Sequence, residues 1–288
     1  MDSPERRFVS LKEAADLLGV HYMTAYRYVR HGQLEAHKEG GIWVVAVDDL
    51  LLFQSKQNDS KKPLIQTSQM IQDVRSSIWR DRLEACLLAG DGSGSWSVLE
   101  AAIDSGAEFV DVYLDILAPA MAAIGERWHA GKLEIYVEHR ATGIATRLVA
   151  RLGAKSAHRG RTRGVVLLGA PSGEHHSLAI SILADVVRLA RFEVHDLGAD
   201  LPNETFLSAV HHSNGILAIG ISANADESRS VVRDLIVQLR NVIDQDVRVF
   251  VGGRAINSMA EAHQLGADEW ALDARSFVVA LDRILKDK

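Results

Sequence analysis

The stretch "GVVLLGAPSGEHHSLAISILADVVRLA", residues 164–190, joins a short apolar run to a loop of small residues and then to an amphipathic helix pattern. Three more apolar runs follow, "FEVHDLG", "GILAIGIS" and "VRVFVGG", each succeeded by a helical pattern, and the short run "ADEWAL" precedes a C-terminal helix pattern. Strand and helix patterns that alternate in this way are typical of a parallel sheet covered by helices on both faces. We therefore predict a flavodoxin-like (Rossmann-like) domain over residues 159–288.

Polar and small residues gather in the loops that follow the first, third and fourth of these predicted strands. The loops read "GEHHS" at residues 173–177, "SAN" at 222–224 and "GG" at 252–253. In open parallel sheets, ligands bind outside the carboxyl ends of the strands, where loops of this kind meet. The three loops are therefore predicted to form one site at one edge of the sheet.

The preceding part of the chain predicts two further domains. Residues 70–158 carry helical patterns with short connections, which predicts a four-helix bundle. Near the N-terminus, Ser10 and Glu13 have the spacing of a capping box, two short helix patterns follow, and residues 40–41, "GG", separate two strand patterns. These features predict a winged helix-turn-helix at residues 1–56, joined to the bundle by a polar linker at 57–69. The chain is thus predicted to be multidomain, of α and α/β class.

Composition limits the classes of protein that this chain represents. Among its 288 residues there is one cysteine, Cys86, which excludes an internal disulfide. No apolar run approaches the roughly 20 residues that span a bilayer, so we expect a cytoplasmic protein without a membrane partner. The net charge of −6 argues against a nucleic-acid-binding surface over the whole protein, but it is compatible with a local basic patch.

The N-terminal pattern resembles the winged helix-turn-helix of the MerR and excisionase type, whose second helix enters the major groove of double-stranded DNA. Residues 20–34, which include that helix, hold two arginines and no acidic residue. The resemblance implies contacts to DNA from Thr24, Arg27, Tyr28, Arg30 and Lys38. Because one such module carries few basic residues, oligomerisation is expected to strengthen DNA binding by avidity. The alternative is a protein-interaction module.

The three loops at the predicted sheet edge resemble the cobalamin-binding domain. Its pattern is an acidic residue, any residue, a histidine, two residues and a glycine, then Ser-x-Leu or Ser-x-Thr, then Gly-Gly. The resemblance makes His176 the lower cobalt ligand and Glu174 the carboxylate that holds its other ring nitrogen. It also places Ser222, Gly252 and Gly253 around the nucleotide tail of the cofactor.

Two residues depart from the cobalamin-binding pattern. Ala179 stands where the family has glycine, and Asn224 stands where it has leucine or threonine. The alanine adds one methyl group, whereas the asparagine is expected to rearrange the slot for the tail. His175 falls on the unspecified position. The alternative interpretation is a domain that keeps the fold and has lost the cofactor.

The predicted bundle contributes a second set of residues, in the segment "WHAGKLEIYVEH" at 128–139. Its spacing resembles that of the CarH or LitR family of cobalamin-dependent photoreceptor transcriptional regulators. The resemblance implies that Trp128, Glu138 and His139 surround the adenosyl group on the upper face of the cofactor. It also implies that His129 becomes the upper cobalt ligand once light has broken the cobalt–carbon bond.

The order of the three predicted domains is also that of this family. The resemblance implies a light-responsive DNA-binding transcriptional regulator, not an enzyme, with adenosylcobalamin as its chromophore. It would bind a DNA operator as a tetramer in the dark and release it when light changes the oligomeric state. Two alternatives remain open: a regulator that senses cobalamin level or another chromophore without photolysis, and a corrinoid-carrying component of a methyltransferase.

Overall fold

The structure, a computed structural model, divides the chain into two compact units, Met1–Val74 and Arg75–Lys288. It describes residues 8–18, 20, 22–30, 34–39, 42–47, 49, 53, 63–157 and 160–287. For residues 16, 23, 27, 42 and 63–75 it describes the backbone alone. The predicted helical and sheet domains thus lie within one unit, and the predicted boundaries between domains stay predictions.

The first unit contains two short helices and a three-stranded antiparallel sheet. Its elements are β1 (Phe8–Ser10), α1 (Leu11–Leu17), α2 (Tyr22–Arg30), β2 (His37–Glu39) and β3 (Ile42–Ala46), and the strand order is β1-β3-β2. The predicted capping box at the start of α1 is confirmed. The Ser10 backbone N–H donates to the Glu13 carboxylate at 2.9 Å, and the Glu13 N–H donates to Ser10 Oγ at 3.3 Å.

The first unit has its own hydrophobic core. Buried apolar side chains from both helices and β3 form its core, among them Leu11, Ala14, Ala25, Leu34 and Val45. The turn at residue 19 and the end of the hairpin at residues 40–41 lie outside the described residues. The winged helix-turn-helix therefore stays a prediction, although its helices and its antiparallel strands are present.

Four long helical segments open the second unit or lead into it. They are α3 (Pro63–Ala89), α4 (Gly92–Asp104), α5 and α6 (Ile135–Ser156), where α5 denotes the consecutive segments Phe109–Asp111, Val112–Leu117 and Ala118–His129. Helix α3 begins inside the predicted linker, so residues 63–69 are helical. Because the side chains of α3 are described only from residue 76, the assignment as a four-helix bundle stays a prediction.

The middle segment of α5, Val112–Leu117, is π-helical and ends just before Pro119. Proline has no N–H to donate to the carbonyl four residues earlier, which favours a local change of helical geometry at this point. Tyr113 lies in the π-helical turn, is fully buried, and donates its hydroxyl to Asp185 Oδ2 at 2.7 Å. This bond fastens the helical region to the α/β region that follows.

The α/β region contains a five-stranded sheet with strand order β5-β4-β6-β7-β8, and every neighbouring pair is parallel. The strands are β4 (Val165–Gly169), β5 (Glu193–Asp196), β6 (Ile216–Ser222), β7 (Arg248–Gly252) and β8 (Glu269–Ala271). The intervening helices are α7 (Ser177–Leu189), α8 (Asn203–His211), α9 (Ser228–Arg240), α10 (Met259–Gln264) and α11 (Ala274–Lys286). The predicted parallel Rossmann-like sheet is therefore confirmed.

Helices cover both faces of this sheet, which explains why its strands read as continuous apolar runs. Helices α7 and α11 pack on one face, where Ile180, Phe277 and Leu281 are buried. Helices α8, α9 and α10 pack on the other, where Phe206 and Leu235 are fully buried. The chain leaves neighbouring strands β4 and β6 towards opposite faces, so a crevice opens at their carboxyl ends. Among the described residues, no helix is long and apolar enough to cross a membrane.

Candidate functional site

The loop after β4 carries a buried carboxylate that is tied to its surroundings on both oxygens. Glu174 is only 1% exposed. Its Oε1 contacts Nδ1 of His176 and accepts the His176 backbone N–H at 3.2 Å. Its Oε2 accepts the backbone N–H of Asn224, and that of Ala225 at 3.2 Å, both in the loop after β6. One carboxylate thus joins the two loops that flank the crevice.

These hydrogen bonds determine the charge of Glu174. Burial alone raises the pKa of Glu174, but hydrogen bonds from the His176 ring, the Asn224 N–H and the His176 N–H outweigh it, so its pKa lies below the ordinary value. The carboxylate is therefore charged at neutral pH and favours the tautomer of His176 with the proton on Nδ1. Nε2 has no hydrogen-bond partner among the described residues, and the side chain is 60% exposed.

The structure distinguishes the two adjacent histidines. His175 is 75% exposed, and its Nδ1 lies 3.6 Å from Asp200 on the opposite side of the loop. Its ring makes no hydrogen bond or ion pair with the Glu174 carboxylate. His176 instead stands at the N-cap position of α7, with one ring nitrogen held and the other free. Only His176 has the arrangement expected of a metal-ligating imidazole with a carboxylate behind it.

A cavity of about 900 Å³ opens beside this loop at the carboxyl edge of the sheet. Most of its wall is apolar, from the ends of β4, β6, β7 and β8, from α7 and α11, and from Leu114, Ala118 and Pro119 of α5. The predicted tail residues Ser222, Gly252 and Gly253 all line it, as do Ala179 and Asn224. The three sequence loops therefore do meet at one edge, around a space large enough for a sizeable ligand group.

The paired glycines are required by the backbone packing at this edge. Gly253 has φ +99°, and a Cβ there would collide with the carbonyl oxygen of Ala223. A Cβ on Gly252 would lie 2.8 Å from the carbonyl oxygen of Ala271. Because both positions also line the cavity, the missing side chains bring bare backbone to the surface where a ligand would lie. Their contact with a cofactor tail stays a prediction.

The second predicted set of residues is arranged more loosely. Trp128 is 36% exposed, and its ring lies 4.6 Å from that of His129 at the end of α5. Glu138 accepts a hydrogen bond from Thr142 Oγ1 at 2.7 Å, with His139 Nε2 3.8 Å away. Within the described part of the chain, no hydrogen bond, ion pair or ring contact joins the first pair to the second. Their convergence on one ligand therefore stays a prediction.

The predicted DNA-contacting residues differ in their surroundings. Arg30 and Lys38 are exposed, and Lys38 Nζ lies 5.3 Å above the Trp43 ring. Tyr28 packs against the core, with its ring 5.1 Å from that of Phe53, and its contact with DNA stays a prediction. Thr24 is half-buried on α2. The side chain of Arg27 lies outside the described residues.

Two connections across the second unit have no signal in the sequence. Besides the bond from Tyr113 to Asp185, Arg275 at the start of α11 donates to Asp111 at 2.9 Å and to Asp115 at 2.7 Å. Each joins residues that are far apart along the chain, and no sequence motif predicts either connection. They hold α5 against the sheet region and so help to form the cavity wall.

Comparison with known proteins identifies families for all three regions. B12 binding domains match residues 79–152 and 164–281, and a helix-turn-helix domain matches residues 8–58. Dimethylamine corrinoid protein 2 of Methanosarcina mazei is 30% identical over 222 residues, which cover 75% of this chain and 97% of that protein. A corrinoid protein of Desulfitobacterium hafniense is 26% identical over 211 residues, covering 71% and 96%.

A solved structure agrees with this result at the level of the fold. The monomethylamine corrinoid protein of Methanosarcina barkeri has a TM-score of 0.63 and 20% identity, and the match covers 72% of this chain and 99% of that one. At this identity the likeness concerns the fold alone.

These comparisons correct the predicted function. The light-responsive regulator with adenosylcobalamin as chromophore is wrong, because the similar proteins are named corrinoid protein and dimethylamine corrinoid protein, which agrees with the carrier alternative. The error has a physical reason. B12 binding domains match both the helical region and the sheet region, so the order of these two regions does not distinguish a corrinoid carrier from a regulator. The chain therefore belongs to the family of cobalamin-binding corrinoid proteins.

Proposed function

We propose that this chain is a corrinoid-carrying component of methyl-transfer chemistry, and not an enzyme by itself. The observation that carries the proposal is the Glu174–His176 pair, with Nε2 of His176 free at the carboxyl edge of the sheet. Support comes from the similarity to dimethylamine corrinoid protein 2, which extends over nearly that whole protein. The cavity beside the pair supplies the space that a bulky cofactor requires.

The residues at the edge of the sheet fit a corrinoid bound through a protein histidine. His176 would be the lower cobalt ligand. The charged Glu174 favours the proton on Nδ1 and thereby makes Nε2 a stronger electron-pair donor to the metal. The apolar cavity, with Ser222 and the backbone at Gly252 and Gly253, would take the nucleotide tail. A bound corrinoid supplies a cobalt centre that can accept a methyl group and give it up again.

The exposed residues at the end of α5 and the start of α6 belong to the same proposal. Trp128, Glu138 and His139 would shield the upper face of the cofactor, as the sequence predicts. Trp128 and His139 are exposed and Glu138 is half-buried, and among the described residues no hydrogen bond or ion pair joins Trp128 to the other two, which suits a surface that must admit a methyl donor and a methyl acceptor in turn. A tightly closed upper face would exclude both.

The proposal is tested by loading the protein with methylcobalamin and adding a thiol acceptor together with a methyltransferase that takes methyl groups from corrinoid proteins. We expect methyl thioether to form from the protein-bound cofactor, and the His176→Ala variant to retain less cofactor and change its absorption spectrum. Free methylcobalamin at the same concentration measures the background rate. A loaded protein that transfers no methyl group above this background contradicts the carrier function.

One observation favours a second candidate, a DNA-binding regulator that senses the level of cobalamin. The match of residues 8–58 to a helix-turn-helix domain has no use in methyl carriage. In this candidate the first unit is a winged helix-turn-helix that binds a DNA operator, and self-association, for instance as a tetramer, strengthens binding by avidity. Operator affinity measured with and without bound cobalamin tests it. Equal affinity in the two states excludes cobalamin sensing.

A further inference from the structure

Asn224 forms a bridge across the mouth of the cavity. Its Oδ1 accepts the backbone N–H of Arg254 at 3.2 Å, in the loop after β7. Its Nδ2 donates to Ser222 Oγ at 3.3 Å, at the end of β6. Because a backbone N–H only donates, the oxygen of the amide must face Arg254, and the NH₂ group must therefore face Ser222. The orientation of the side chain is thus determined by its partners.

This orientation decides what Ser222 offers to a ligand. Its oxygen already accepts a hydrogen bond from Asn224, while its hydroxyl proton has no acceptor among the described residues. Ser222 lines a cavity whose wall is mostly apolar, where an unsatisfied hydroxyl proton is unfavourable. Ser222 therefore presents a hydrogen-bond donor to the cavity. A leucine at position 224 would leave the hydroxyl without this orienting bond.

We propose that Asn224 is a specificity-determining residue, which makes the cavity select a corrinoid tail that presents a hydrogen-bond acceptor to Ser222. The proposal deepens the corrinoid-carrying function and rests on it. Asn224 acts through Ser222, so it is a positioning residue for the tail. An unprotonated nitrogen on the heteroaromatic base of the tail has the required chemistry.

The sharpest test is the isosteric variant Asn224→Asp. An aspartate oxygen accepts from Arg254 N–H as before, but its other oxygen now accepts from Ser222, which turns the hydroxyl proton away from the cavity. Spectroscopic titration with cobalamin, and with cobinamide, which lacks the nucleotide tail, gives the two affinities. We expect the variant to lose about tenfold in cobalamin affinity, the weight of roughly one hydrogen bond, and to keep its affinity for cobinamide.

A double-mutant cycle separates this effect from the added negative charge. Ser222→Ala should lose a similar factor for cobalamin, and adding Asn224→Asp to it should cause little further loss. Asn257→Asp, which also places a charge on the cavity wall, measures the general electrostatic effect. The role of Asn224 is overturned if Asn224→Asp lowers both affinities alike, or if it lowers cobalamin affinity as much in the Ser222→Ala background. If the unmodified protein binds neither corrinoid, the carrier function itself fails.

Discussion

The loop around His176 and the turn around Trp128 were predicted together as two sides of one site, yet they are built differently. Glu174 is buried and uses both oxygens to connect two loops of the sheet. The side chains of Trp128 and His129 are exposed and their rings lie against each other, and among the described residues neither makes a hydrogen bond or an ion pair. The comparison teaches that hydrogen bonds within the protein already fix the side for the lower ligand, whereas Trp128 and His129 on the opposite side have no such bonds among the described residues.

The largest difference is expected between two glycine variants, Gly253→Ala and Gly131→Ala. Both positions have positive φ, but a Cβ at 253 also collides with backbone, whereas nothing lies within 4 Å of one at 131. We expect Gly253→Ala to lower the free energy of unfolding by about 3 kcal/mol or more, and Gly131→Ala by about 1 kcal/mol. Urea unfolding measures both. Equal losses of stability would contradict the claim that the loops around the lower ligand are more constrained than the turn around Trp128.

The variants His176→Ala and His175→Ala test the loop after β4 through its effect on cobalamin binding. Loss of the His176 imidazole should weaken cobalamin binding by at least about tenfold and change the spectrum of the bound cofactor. His175→Ala should leave both nearly unchanged, because that ring pairs with Asp200, 3.6 Å away, and not with Glu174. If the two variants behave alike in spectroscopic titration, the assignment of this loop is wrong.

Glu174→Gln should reduce stability in a pH-dependent way. An amide placed there directs its NH₂ group either at the N–H groups of residues 224 and 225 or at those of His176, so donors face donors. We expect a loss of about 1–3 kcal/mol near neutral pH. Because the folded-state pKa of Glu174 lies below its unfolded value, its stabilisation is present above the unfolded value and disappears as pH falls through the folded one.

Unfolding experiments at several pH values check this prediction. The difference between the unmodified protein and Glu174→Gln should shrink on acidification. Glu138→Gln is the matched control, since that carboxylate is only half-buried and accepts one bond from Thr142. A difference that is independent of pH, or as large for Glu138→Gln, speaks against a special role of the buried carboxylate.

Trp128→Ala should give the smallest effect on the protein without cofactor. The ring is partly exposed and contacts His129 alone among the aromatic residues that the structure describes. The free energy of unfolding should change by no more than about 0.5 kcal/mol. Calorimetry or urea unfolding measures it, and a loss of several kcal/mol would show that the upper side is as firmly built as the lower one.

The parallel sheet and the meeting of its three loops were predictable, because apolar runs and loop residues follow local rules of strand and helix formation. The partnership of Glu174 and His176 was also within reach, since both lie on one short loop. The bonds from Asn224 to Ser222 and Arg254, and from Tyr113 to Asp185, depend on how distant segments meet in space. The predicted photoreceptor function failed because a shared architecture does not specify what happens at the cobalt.

The central claim is that His176 is the protein ligand of the corrinoid. Electron paramagnetic resonance of the protein loaded with cobalamin and reduced to the divalent cobalt state tests it most directly, in samples with natural-abundance and with ¹⁵N-labelled histidine. We predict splitting by one nitrogen that changes from three lines to two on labelling, and that is lost in His176→Ala. A splitting that labelling leaves unchanged, or that survives in His176→Ala, contradicts the account.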